Sequence, residues 1–123
     1  MGATPPNRTN QPYYLTLKIT IMVINGKVIF IAQERSGIST RTGQTWKSVE
    51  FVIETNERYP VKIAFTIFGE ENIQKAMLKM GENVDVIFFP ESHEYNGAWY
   101  TELRCNDICQ NGISRFAQAQ MFR

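Results

Sequence analysis

The stretch 45–69, TWKSVEFVIETNERYPVKIAFTIFG, alternates apolar and polar side chains twice over, with one short polar break between the two runs. Val49, Phe51 and Ile53 recur with a period of two while Ser48, Glu50 and Glu54 interleave, the pattern of a strand with one face in a core. Val52 alone departs from it. Over 59–68, Val61, Ile63, Phe65 and Ile67 share one face and Lys62, Ala64, Thr66 and Phe68 the other. Asn56-Glu57-Arg58 is short enough for a hairpin loop, and Pro60 falls at the beginning of the second strand, where a sheet tolerates a missing N–H.

Around this pair the chain reads as further strands and one helix. Residues 1–12 are rich in Pro, Asn, Thr and Gly without apolar periodicity, the composition of a disordered arm. Residues 14–24 are rich in β-branched residues, and after Asn25-Gly26 a second such run, KVIFIAQ, follows. Two arrangements fit: a type I′ hairpin at Asn25-Gly26, or one long bent strand with Gly26 at a bulge. Residues 34–45, ERSGISTRTGQT, read as an exposed loop. Over 69–81, Ile73, Ala76, Met77 and Met80 fall at helical spacing, with Glu70 and Glu71 in the first turn, Lys79 in the last and Gly81 as terminator. Residues 83–90 form another strand, Asn96-Gly97 offers a tight turn, and 99–107 pairs back.

This gives an all-β chain with one helix, in the order strand, strand, strand, helix, strand, strand. That connectivity is expected of an OB-fold, a five-stranded Greek-key barrel with a helix between strands 3 and 4. The expected division is an arm at 1–12, a barrel domain at 13–109 and a tail at 110–123. A chain of 123 residues with 43% hydrophobic and 20% charged residues is one domain's worth with a real core. No apolar run approaches a membrane span, and the first twelve residues have no signal-peptide core, so a cytoplasmic protein is expected. Cys105 and Cys109 are not in a CxxC pair and His93 is the only histidine, so neither a metal site nor any other cofactor is expected.

Net charge is +1, but its sign changes along the chain. Residues 27–62 hold six bases against four acids, whereas 63–94 hold two bases against six acids. A fold that gathers the first loop and the central hairpin therefore has a mildly basic side and an acidic one. No Ser-His-Asp set, phosphate-cradling GxxxxGK[ST] or HExxH is present, and Glu91, His93 and Glu94 beside a turn make a wet loop rather than an acid–base centre. The chain is not expected to be an enzyme.

The run SGISTRTGQTWKSVEFVIETNERYPVKIAFTIFG, with VDVIFFPESHEYNGAWYTELRCNDI after the helix, resembles a small bacterial and phage family catalogued as a domain of unknown function and related to OB-fold single-stranded DNA-binding proteins. The resemblance covers about residues 24–108. It rests on SG in the first loop, WK before EFVIET, YP before the third strand and NGxWYT before the last. It implies a bacterial or phage protein acting in DNA replication, recombination or repair. Bacterial single-stranded DNA-binding proteins commonly end in an acidic tail tipped with Phe that recruits replication and recombination proteins. Here the chain closes on Met121-Phe122-Arg123 with no acid after Asp107.

Single-stranded nucleic acid offers base faces and a phosphate backbone, so a sequence-tolerant binder needs aromatic platforms among cations. With Val49, Phe51 and Ile53 inward, Trp46 lies outward, and Lys62 and Phe68 take the outward register across the hairpin. Ile29 and Ile31 inward leave Phe30 outward. Tyr100 and Arg104 share a face of the last strand, and Tyr95 lies in the preceding turn. Arg35, Arg41 and Lys47 complete the candidate nucleic-acid contacts. Trp46 and Trp99 equally suit capping of the barrel ends, and Phe30 and Phe68 an oligomer interface. The expected partners are single-stranded DNA and further copies of the chain, with 14–24 as the edge for pairing. The alternatives are an OB-fold module for protein interaction or assembly and an RNA-binding protein.

Overall fold

The computed structural model describes residues 22–117. The arm expected at 1–12, and all of the 14–24 edge except its last three residues, lie outside the described residues. Among the described residues, seven strands, β1 (Met22–Ile31), β2 (Arg35–Ile38), β3 (Thr45–Thr55), β4 (Lys62–Phe68), β5 (Asn83–Tyr95), β6 (Ala98–Gln110) and β7 (Ile113–Ser114), join the helix α1 (Glu70–Ala76), and residues 115–117 are again helical. Strands β1, β5, β6, β4 and β3 are hydrogen-bonded in that order, and β3 pairs back on β1, closing a five-stranded ring. All its junctions are antiparallel except β4–β6, which meet in parallel at Thr66 and Arg104. This is the expected OB-like barrel, with the helix between the third and fourth barrel strands.

Ring closure depends on β1 serving two neighbours. Its first half pairs with β5, from Met22 opposite Phe88 to Lys27 opposite Asn83, and its second with β3, from Gly26 opposite Thr55 to Ile31 opposite Phe51. Asn25-Gly26 is thus no hairpin turn but the crossing point of one long strand. A Cβ on Gly26 would lie 2.8 Å from the Glu54 carbonyl oxygen and 2.9 Å from Ile53 Cδ1, so a side chain there would push the strands apart. The register shift falls between Val28 and Phe30, leaving Ile29 as the extra residue, rather than at Gly26.

The core gathers the inward residues of the alternating strands. Phe51, Ile53, Phe65, Ile67, Val86 and Ile108 are fully buried, joined by Val28, Val49, Val84 and Ala76. Phe51 and Phe65 lie 5.5 Å apart between ring centroids, and Phe88 meets Phe65 edge-on at 5.0 Å. Val61 is exposed, because β4 begins at Lys62 and not at Tyr59. Residues 56–61 form the connection, closed by Thr55 N–H donating to the Val61 carbonyl at 3.0 Å and Val61 N–H to Thr55 Oγ1 at 3.0 Å.

The helix is shorter than its periodicity suggests. It ends where Met77 turns left-handed at φ 45°, and Met77 and Met80, expected on the buried stripe, are each 62% exposed. Ile73 and Ala76 do face the core, and Leu78 packs there in place of the methionines. The helix's last carbonyls are taken by Arg115, whose Nη1 donates to Ala76 O at 2.8 Å and Met77 O at 3.2 Å. Lys75 therefore occupies the last turn, and Gly81 instead donates its N–H to the Val28 carbonyl at 2.7 Å.

Beyond the barrel, β5 and β6 continue as a two-stranded ribbon closed by Asn96-Gly97, whose φ values of 52° and 82° are those of a type I′ turn. Asn111-Gly112, at 55° and 78°, makes a second such turn and folds β7 back on β6. Residues 110–117, expected as tail, therefore pack against the barrel. Arg115 also pairs with Glu82 at 2.7 Å, both side chains being nearly buried, and its Nη2 donates to Gln110 Oε1 at 2.9 Å.

Candidate nucleic-acid interface

Strand registry fixes which side chains share the barrel's outer face, because residues directly opposite in a ladder project to the same side. On β2, β3 and β4 the outward rows are Gly37 with Trp46, Arg35 with Ser48 and Phe68, Glu50 with Thr66, Val52 with Ala64, and Glu54 with Lys62. Phe30 of β1 joins the Val52 row, and Arg104 of β6 joins the Thr66 row through the parallel closure. At about 3.3 Å per residue, the eight steps from Trp46 to Glu54 span roughly 26 Å. The face lies between the β2–β3 hairpin and the β5–β6 ribbon, the position from which OB-folds bind oligonucleotides.

Trp46 is the aromatic side chain of this face that lies against β2. Its indole lies on Gly37 of the neighbouring strand, where a Cβ would fall 2.7 Å from Cζ2 and 2.9 Å from Cε2. Glycine is thus what lets the ring lie flat across β2, and 41% of Trp46 remains exposed. The segment expected to be a loop at 34–45 is itself a hairpin, because β2 pairs with the outer edge of β3 from Arg35 to Ile38. Four residues with glycine at the third position are too short to show the alternation. At the hairpin tip, Ser39 N–H donates to the Gln44 carbonyl, and Ser39 Oγ accepts from the backbone N–H groups of Arg41 and Thr42 at 3.3 Å. Arg41 is exposed there, and neither it, Arg35 nor Lys62 has an acidic partner among the described residues.

Arg104 is differently held. Its guanidinium carbon stands 4.2 Å from the Phe68 ring centroid, and its Nη1 donates to Glu91 Oε1 at 2.6 Å. The half-buried Phe68 therefore presents one face already covered by a cation, not a bare ring. The same hydrogen bond holds the Glu91 carboxyl below the ordinary glutamate range. His93 Nε2 lies 4.0 Å from Glu91 Oε2, whereas Glu94, opposite Trp99, projects from the other side of the ribbon. The three polar residues around 91–94 thus do not converge.

The ten expected site residues divide by place. Arg35, Trp46, Phe68 and Arg104 occupy three successive rows, with Arg41 at the adjoining hairpin tip. Phe30 and Lys62 lie further along the same face, and Tyr95 and Tyr100 sit exposed on the ribbon. Lys47 is the exception, since it alternates with Trp46 and leaves from the opposite side, where its Nζ lies 3.5 Å from Glu70 and 4.0 Å from Glu34. Sequence reasoning missed Gly37 as the seat of the indole and Glu91 as the partner of Arg104. It also passed over Phe89, exposed opposite Arg104, and Tyr59, exposed with Arg58 5.5 Å from its ring centroid. Among the described residues no group of three or more His, Cys, Asp or Glu could hold a metal ion, and no helix is long and apolar enough to cross a membrane.

Solved structures with the same fold include the mitochondrial single-stranded DNA binding protein Rim1 of S. cerevisiae, at 17% identity and a TM-score of 0.53, covering 76% of this chain and 96% of that one. The second single-stranded DNA binding protein of Mycobacterium smegmatis aligns at 17% identity and a TM-score of 0.50, over 75% and 88% of the two chains. The dimeric N-terminal domain of PriB from Thermoanaerobacter tencongensis aligns at 18% identity and 0.51, over 72% and 92%. At these identities the likeness is one of fold. No match is found among curated proteins. Residues 23–108, well over half of the sequence, match the family described as a domain of unknown function, DUF3127, and the chain belongs to that family.

Proposed function

We propose that this protein binds single-stranded DNA without catalysis and largely without regard to sequence. The observation that carries the reading is the exposed Trp46 indole, seated on Gly37 and flanked by Arg35 and Arg41 on the loop-framed face of an OB barrel. Bases would stack on Trp46 and, further along, on Phe30, with Tyr95 and Tyr100 reached by a strand that continues onto the ribbon. Arg35, Arg41 and Lys62 would meet phosphates. Lys47, already paired on the far side, leaves the set. The fold neighbours named above support the reading by analogy of architecture, which does not by itself fix function. A homo-oligomer, a place in replication, recombination or repair, and a bacterial cytoplasmic or phage setting belong to the same proposal.

One observation favours a second reading, an OB-fold protein-interaction module. The ribbon carries exposed Tyr95, Trp99 and Tyr100 among Glu91, Glu94 and Glu102, which suits a protein surface better than a phosphate backbone. Titration of fluorescent oligo-dT, with a duplex of equal length and an RNA strand alongside, separates the readings. Salt-sensitive binding to the single strand with little to the duplex is expected. Equal binding to RNA moves the assignment to single strands of either kind, and no binding at low salt overturns it in favour of a protein partner.

A further inference from the structure

The Arg104 site holds more negative than positive charge. Glu91 and Glu102 stand directly opposite each other across β5 and β6, a like-charge pair that disfavours the ladder. Glu50 lies in the Thr66 row that Arg104 extends, and His93 neighbours Glu91. Arg104 is the one cation of this group that is always charged. Its plane is fixed over Phe68, and Glu91 engages Nη1 alone, so the remaining N–H donors are unoccupied by that carboxylate. The result is a preoriented guanidinium whose charge is already balanced.

We propose that Glu91 is a built-in counter-anion that sets how strongly Arg104 engages a single strand. This rests on the single-strand reading. A phosphate approaching the open edge of Arg104 meets the Glu91 carboxylate on the same guanidinium and is repelled by it. While Glu91 is ionised, Arg104 consequently neutralises little of a bound strand's phosphate charge. Glu91 acts through Arg104 and touches no base itself.

The test is Glu91→Gln, whose amide oxygen still accepts from Nη1 while the charge is gone. Binding of oligo-dT by the full chain is measured against salt, alone and in an Arg104→Gln background. Glu91→Gln is expected to tighten low-salt binding about tenfold, within what removal of one unit charge at about 5 Å yields between bulk-water and near-surface screening. The logarithmic salt slope should steepen by about 0.7, one additional phosphate neutralised on a single strand. Both gains should vanish in the Arg104→Gln background. An unchanged slope, weaker binding, or a gain that persists without Arg104 overturns the role of Glu91 while leaving single-strand binding in place. Failure of the wild-type chain to bind oligo-dT overturns both.

Discussion

Replacing Gly37 by Ala should weaken strand binding without harming the fold. The added Cβ would sit 2.7 Å from Trp46 Cζ2 and 2.9 Å from Cε2. Carbon atoms pack at about 3.5–4.0 Å, so the indole must retreat by about 1 Å or rotate off β2. The backbone itself does not resist, because Gly37 is not among the positive-φ residues. Alanine is favoured over glycine inside a strand by about 0.5–1 kcal/mol, so the thermal transition should hold or rise slightly. If Trp46 stacks a base, its displacement forfeits up to the roughly 1–3 kcal/mol that such stacking is worth. That is a loss of between about fivefold and about 150-fold in affinity at 25 °C. The chain has two tryptophans, so the measurement is made with Trp99→Phe as the parent, leaving Trp46 as the sole emitter. Emission reports the ring's environment and anisotropy of labelled oligo-dT its affinity. A shifted emission with unchanged affinity would refute the reasoning, since the ring would have moved without consequence for the strand.

Four further outcomes are expected. Arg35→Ala with Arg41→Ala should flatten the salt dependence of oligo-dT binding by about 1.4 in logarithmic slope, about 0.7 for each phosphate no longer neutralised, and an unchanged slope would remove the hairpin from the interface. Arg115→Ala should cost about 3 kcal/mol in chemical denaturation, at the lower end for breaking a buried pair, because Glu82 and Arg115 are only 12% and 11% exposed. The Arg115 hydrogen bond holds Glu82 below the ordinary carboxylate range, so this stability is present in full above that range and lost as pH falls through the lower folded value; Glu82→Gln should remove that acid-limb dependence. Cys105 is buried with its thiol pushed up to about 12, so a thiol reagent at neutral pH should modify it only upon unfolding, while Cys109, raised less and partly exposed, reacts first.

The parts of the barrel legible in the sequence were those where local pattern and tertiary pairing agree. Val49, Phe51, Ile53, Phe65 and Ile67 alternate because one sheet face is core, and that same alternation places Trp46, Phe68 and Lys62 outward. The Asn-Gly steps show where such reading stops. Asn96-Gly97 and Asn111-Gly112 turn, but Asn25-Gly26 does not, although the dipeptide is the same. At Asn25 the side chain donates to Asp85 Oδ1 at 2.8 Å and to the Val84 carbonyl at 3.2 Å, tying the strand to β5 instead of reversing it. Those partners lie about sixty residues away, outside any local window. The turn at Asn111-Gly112 is readable from its dipeptide but easily missed, because only a two-residue strand follows it.

The helix end and the cation roles were hidden for a related reason. Periodicity carries the helix through Met80, but the carbonyls that Arg115 captures belong to Ala76 and Met77, and nothing near residue 77 announces that partner. Lys47, Arg35 and Arg104 are not told apart by the sequence, each being simply a cation in or beside an expected strand. Only the fold gives Lys47 to Glu70 on the far side, stacks Arg104 on Phe68 under Glu91, and leaves Arg35 without an acidic partner among the described residues.

The measurement that bears most directly on the outer face as the binding surface is a two-dimensional amide and indole NMR titration with oligo-dT. The Trp46 indole N–H and the backbone amides of Gly37, Ser48 and Thr66 are expected to shift first and furthest, while those of Asn25, Asn83 and Gln110, where β1 and β6 flank the start of β5, stay in place. Shifts confined to the Asn25–Asn83–Gln110 region, or to the ribbon with Trp46 unmoved, would contradict a binding surface on the outer face.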